Sequence, residues 1–447
     1  MCPNLSEIRG RDISSGGLRA LGMFYTSTLT VVDFGRVGTS NSDIERLCKG
    51  CPALKTLKLL IKSSSSDGLT DDSVSSISRY CPNIECLSLE GWKSITDASL
   101  ISLTALTSLR ELNLSGCVLL TSDGVPSLVR GIGATLEVII LSNVFAVTTD
   151  ACNFCDDALL LCIGENCPKL RRFAVSIKAD SNVTDTSFVA LVRGCPLLQD
   201  LSLCFKKVTD TFLIQLADQC PDLQKLSCRY GNYTDAGVVA VASKCTKLEC
   251  LTLILSVGDE LTDTGIVGIA KHCKCLKVLC LIRLMSITDT AFRLLFELCS
   301  NLTVVSLMDL PLITDRSLLT LVRCNAGLRS LTLIRNTKLT EKTLASLITL
   351  HGLEDLCIND CPTLSDDTVC LLARLCSKFD KVKVSHCPLV TTRGLTELLT
   401  HSKKLTSLTI QECGIELSAL YKVTHLAKRS SSRRLKVSLD TLGDYVL

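Results

Sequence analysis

The chain has 447 residues, 47% hydrophobic but only 4% aromatic, an aliphatic composition that suits a thin, regular core better than one large irregular globule. Its 48 basic and 45 acidic residues leave a net charge of +3, which excludes a global field drawing in nucleic acid or membrane. The 27 cysteines would imply a disulfide framework in a short secreted protein, but no signal-peptide core opens this chain, so they read as small buried hydrophobes kept reduced in the cytosol.

In chain order, the opening Cys2-Pro3-Asn4-Leu5 already lies inside a repeat, and the copies around Ile8 and Val32-Asp33-Phe34 are the most degenerate. The unit is clearest at Cys195-Pro196-Leu197-Leu198-Gln199-Asp200-Leu201-Ser202-Leu203, then Val208-Thr209-Asp210, then an apolar stretch ending at Cys220-Pro221. The Thr-Asp pair recurs at 96–97, 184–185, 209–210, 234–235, 262–263, 288–289 and 314–315, with degenerate copies at Thr340-Glu341 and Ser365-Asp366. Most steps are 25 or 26 residues, as from 209 to 234 and from 288 to 314, within the range of leucine-rich repeats. Departures from the period mark loops at 60–70, 142–157, 176–184 and 254–261. The one basic run, Lys428-Arg429 and then Arg433-Arg434, lies near the end and is read as a solvated terminal turn rather than a nuclear-import signal.

Each part of the unit has a physical role. In Leu248-x-x-Leu251-x-Leu253 the leucines alternate at period two and point inward from a short strand. The Thr-Asp pair supplies an oxygen and a negative charge where a helix starts, matching its orphan N–H groups and its dipole. Apolar residues at helical spacing follow, such as Leu318, Leu319 and Leu321, and cysteine, often with proline, stops the helix. No unit buries its apolar face alone, so neighbours stack. About sixteen strands are expected between Ile8 and Val437, in one continuous array over 1–447 without a linker. The fold class is α/β: a right-handed horseshoe solenoid, with a parallel sheet inside and helices outside.

Cys-Pro-x-Leu-x-x-Leu-x-Leu followed by Ile-Thr-Asp-x-x-Leu resembles the cysteine-containing repeat of F-box/leucine-rich-repeat proteins, which the mitotic-exit-network antagonists share. Leu112-Asn113-Leu114-Ser115-Gly116-Cys117 and Val382-Lys383-Val384-Ser385-His386-Cys387 fit closely, with cysteine where other repeat classes place a ladder asparagine. Trp92, Leu284, Leu310 and Asn336 depart from the pattern. The resemblance implies a protein-interaction module that recognises substrates for an SCF-type, cullin-RING ubiquitin ligase. The alternative it implies is a regulatory scaffold that inhibits a partner by binding it. Nothing in the first fifty residues looks like an F-box, so a cullin-ligase adaptor is a partner only if such a module lies upstream. The first repeat also has no polar cap, which leaves open missing upstream sequence or a partner covering that end.

No catalytic constellation emerges, and no cofactor is expected. His272, His351, His386, His401 and His425 lack a recurring partner, no H-E-x-x-H occurs, and Gly124 to Gly133 lacks the lysine of a phosphate loop. Cys152 and Cys155 form a CxxC in the longest insertion and are the weak metal candidates, with an exposed, oxidisable pair as the other reading. Strand geometry offers a better-motivated site. If the leucines face inward, the residues between and just after them line the concave surface. Four repeats then present Cys250, Thr252 and Ile254; Val278, Cys280 and Ile282; Val304, Ser306 and Met308; and Ser330, Thr332 and Ile334. Ile254, Ile282, Met308 and Ile334 should align as an exposed apolar stripe that binds a protein partner, with Val278 and Val304 beside it and Arg229, Arg283 and Arg335 as a fringe. Two competing readings are that such surfaces tolerate isoleucine without purpose, or that a loop covers the stripe. The expected partner is a protein substrate or regulator, with no nucleic acid or membrane, in the cytoplasm and with the nucleus left open.

Overall fold

A computed structural model describes residues 5–24, 28–61, 68–142, 154–177, 183–255, 261–415, 435–439 and 443–446. The expected loops fall wholly or largely outside these residues, as do Cys152, His425 and the basic run from Lys428 to Arg434.

The repeat at 278–299 shows how the sequence makes the unit. Leu279 and Leu281 are fully buried, whereas Val278, Cys280 and Ile282 on the opposite face are half-buried, the period-two division of a strand with one face on the core. Thr288 is in extended backbone ahead of the helix Asp289–Leu298, and its Oγ1 accepts from Thr290 N at 3.2 Å, an N-cap. Ala291, Phe292, Leu295 and Phe296 bury one helical face. Cys299 closes the helix, its N–H donating to the Leu295 carbonyl, and its thiol donates to the Cys273 carbonyl of the previous repeat at 3.4 Å.

The chain forms two compact units. In the first, residues 1–228, the strands β1 (Glu7–Ser14), β2 (Val31–Gly38), β3 (Thr56–Ile61), β4 (Cys86–Ser88), β5 (Glu111–Asn113), β6 (Val138–Ile140), β7 (Arg172–Ser176) and β8 (Asp200–Cys204) pair in chain order, all parallel. β9 (Lys225–Gly231) follows. In the second, residues 229–447, β10 (Cys250–Leu255), β11 (Val278–Ile282), β12 (Val304–Met308), β13 (Ser330–Ile334), β14 (Asp355–Asn359), β15 (Lys381–Ser385), β16 (Ser407–Gln411) and β17 (Lys436–Leu439) again pair in chain order and parallel. β18 (Gly443–Val446) turns back antiparallel on β17, which the repeat pattern did not anticipate. A helix connects most neighbouring strands, as parallel pairing requires.

The aspartate of the Thr-Asp pair does more than face its own helix dipole. Asp289 accepts from Thr314 N (2.8 Å) and Oγ1 (2.5 Å) and from the Ser317 hydroxyl, all in the next repeat. The same staple joins Asp71 to Thr96, Asp263 to Thr288, Asp315 to Thr340 and Asp366 to Thr391. Among the described residues no disulfide joins two cysteines, and no helix is long and apolar enough to cross a membrane.

Candidate functional site

In the second unit the strand register puts the outward residues in three columns. Cys250, Val278, Val304 and Ser330 are partners along the first; Thr252, Cys280, Ser306 and Thr332 along the second; Ile254, Ile282, Met308 and Ile334 along the third. With strands roughly 4.8 Å apart, these twelve uncharged side chains form one continuous panel. Charge returns at β14 and β15 with Asp355, Lys381 and Lys383.

The exposure of the panel differs from expectation on β10, where Thr252 and Ile254 are both buried. Ile282, Met308, Ile334, Val278 and Val304 are half-buried, but Ile254 is only 3% exposed, so it does not belong to an open stripe. Residues 251–255 of β10 are all buried. Burial pushes the Cys280 thiol up in pKa, while Ser306, the Arg229 guanidinium and Thr252 pull against it. Arg229 is half-buried on β9, and β10 separates its strand from that of Cys280.

The other fringe arginines are exposed and engaged. Asp309 accepts from Arg335 through Nε at 2.5 Å and Nη2 at 2.8 Å, and lies 4.0 Å from Arg283 Nε. Arg283, Asp309 and Arg335 occupy the corner after their strands with φ of 62°, 56° and 55°, in the left-handed region. The corner N–H of Arg283 donates to the Met308 carbonyl, that of Asp309 to Ile334, and that of Arg335 to Asn359, which carries the ladder one residue past each strand. Arginine gives no sign of this conformation, which glycine or asparagine would have signalled.

The first unit offers a different outward face, which the sequence reading did not single out. A depression of about 350 Å³ is lined by Asp33, Lys58, Cys86, Glu90, Glu111, Asn113 and Arg172, among others. Glu111 Oε2 accepts from the Cys86 thiol at 3.0 Å and lies 3.6 Å from Lys58 Nζ, while Asn113 donates to Glu90 at 3.0 Å. Burial and Glu111 push the Cys86 thiol up to about 12. Burial alone would lower the pKa of Lys58, but Cys86, Glu111 and Asp33 outweigh it and raise it. The alternation in Leu57-Lys58-Leu59 and Leu112-Asn113-Leu114 carries the signal for these residues. Its polar groups are largely matched to one another.

Cys155 is 6% exposed, so the reading of an exposed loop pair is corrected at this residue, and its partner Cys152 lies outside the described residues. Cys162 is buried within the helix Asp157–Asn166 and Cys167 caps it. Among the described residues no group of three His, Cys, Asp or Glu could hold a metal ion. His386 Nδ1 sits 3.0 Å from Glu412 on two neighbouring corners.

No family model matches the chain, and no curated protein matches it. Among solved structures, the yeast Rad7–Elc1 complex contains a chain similar to this one with a TM-score of 0.57 and 19% identity, covering 85% of each chain. The internalin inlF of Listeria monocytogenes has a TM-score of 0.45 and 17% identity, covering 79% of this chain and 86% of its own. With the parallel strand–helix register, the first likeness gives the fold: an α/β leucine-rich-repeat solenoid.

Proposed function

We propose that this chain is a protein-binding module whose second-unit face captures a protein substrate for a cullin-type, SCF ubiquitin ligase. The observation that carries the binding role is the charge-free panel on β10–β13, with Ile282, Met308 and Ile334 in register and only half-covered. A soluble repeat surface normally scatters charge over such positions, as β14 and β15 do here. The tie to a ligase is supported by the Cys-Pro-x-Leu-x-x-Leu-x-Leu repeat and its resemblance to F-box/leucine-rich-repeat proteins. The alternative, a scaffold that inhibits a partner by holding it, uses the same panel and needs no ligase subunits.

Ile282→Asp with Met308→Asp tests the binding role, because both side chains are on the outward face and leave the inward leucines untouched. The double variant should fold with an unchanged melting temperature and lose the protein partner captured by the unaltered chain. Equal capture by the variant would overturn the reading. Cullin and adaptor subunits in the captured complex favour the ligase role; their absence, with the partner retained, favours the inhibitory scaffold.

A further inference from the structure

The chemistry of the captured segment can be read from the strand corners, an inference that rests on the proposed use of the second unit's face. In the first unit the equivalent corner is occupied by Gly91 and Gly116, with φ of 78° and 75°. Gly91 N donates to the Ser115 carbonyl at 2.8 Å, the same bond that Arg283 N makes to Met308 at 2.9 Å. The corner therefore requires the left-handed backbone and no side chain. Glycine adopts that backbone freely, whereas arginine and aspartate are strained in it. The second unit fills this corner with larger side chains (Tyr230, Arg283, Asp309, Arg335, Asp360, His386 and Glu412), and on β11–β13 they are Arg283, Asp309 and Arg335.

Asp309 takes two of the five N–H donors of Arg335 and holds its guanidinium in place, leaving three for another acceptor. Arg283 stands farther off, at 4.0 Å. The corners of β11–β13 thus carry two guanidiniums against one carboxylate. The excess ends at β14, where Asp360 takes the corner. Ile282, Met308 and Ile334 immediately precede these corners, and Met285 and Leu312, two and three residues after Arg283 and Asp309, are 50% and 38% exposed.

We infer that the segment bound here is a peptide with carboxylate side chains set among aliphatic ones, its acids on Arg283 and Arg335 and its apolar groups on Ile282, Met308 and Ile334. Charge complementarity selects it, since one clamped guanidinium fork and a second, exposed guanidinium beside a charge-free apolar panel match acidic–aliphatic chemistry and repel a basic segment.

The test uses the full chain and short labelled synthetic peptides of leucine and isoleucine bearing Glu, with matched Gln and Lys versions, followed by fluorescence anisotropy. The Glu peptide should bind about tenfold more tightly than the Gln peptide, with the Lys peptide weakest. Arg283→Gly with Arg335→Gly should keep or raise the melting temperature, because the corners relax, and should erase the preference for Glu. Arg283→Glu with Arg335→Glu should move the preference to Lys. Equal binding of the Glu and Gln peptides, or a Glu preference that survives the glycine variant, overturns the inference. If all three peptides bind equally and Ile282→Asp with Met308→Asp abolishes binding, the face reading stands and the acidic partner falls. A chain that binds none of them also overturns the acidic partner, and the face is then judged by protein capture alone.

Discussion

Cysteine in this chain does the work of a poor asparagine. At one helix end Asn325 donates Nδ2 to the Phe296 carbonyl at 3.1 Å and accepts from Leu302 N at 3.2 Å, tying two repeats with two bonds. At the preceding helix end Cys299 makes only the weak thiol bond to Cys273. What the thiol supplies is a small, desolvated side chain in a crowded corner. Burial pushes Cys245, Cys299 and Cys376 up to about 11, and Cys273 and Cys167, each beside another thiol, up to about 12. Cys275, two residues from Cys273, is exposed. Iodoacetamide should therefore alkylate Cys275 in the native chain and reach Cys273 only on unfolding, since burial both shields the Cys273 sulfur and disfavours its thiolate. Fragment-resolved mass spectrometry separates the two sites, and equal native labelling would contradict the burial argument. The regular spacing of cysteines was readable from the chain alone. The left-handed corners at Arg283 and Arg335 were not, because the residue type carries no preference for them.

Between neighbouring repeats, the carboxylate staple is a recurring specific tie. At Asp71 and Asp289 burial alone would raise the pKa, but the bonds from Ser99 and Thr96, and from Ser317 and Thr314, outweigh it and hold both carboxyls below the ordinary aspartate value; Asp157 and Asp315 behave alike. Removing the acceptor strands three donors at once. Asp289→Ala should cost about 1–3 kcal/mol in urea unfolding, and Asp289→Asn less, because the amide oxygen still accepts. A cost within error of zero would show the staple to be ornamental. A lowered folded pKa gives stability that is full above the unfolded value and lost as pH falls through the folded one. Asp200 and Asp355, raised by burial, act in the opposite sense, but the lowered group is larger and includes Asp43. The melting temperature should accordingly drop as pH falls below about 4. A flat profile down to about pH 2 would rule this out. The capping role of threonine was legible from its place before each helix. The cross-repeat role of aspartate was not, since its partner is some 25 residues away and only stacking brings the two together.

At the scale of the molecule, order spreads by contact between neighbours. Leu333 of β13 is fully buried, and Leu333→Ala should cost about 2–5 kcal/mol. Each repeat rests on the next, so amide exchange should quicken first in β12, β13 and β14 while the strands of the first unit keep their protection. A uniform rise along the chain would show one indivisible fold instead. By itself the sequence determined the repeat, the inward leucines, the helix starts and the columns of the outward face, because each depends on a period shorter than one unit. Tertiary structure alone decided that Ile254 is covered, that Asp309 clamps Arg335, that aspartates reach across repeats, and that a polar hollow lies over β2–β7. Those outcomes depend on which side chains meet when units stack, and spacing along the chain does not specify how far a neighbour reaches.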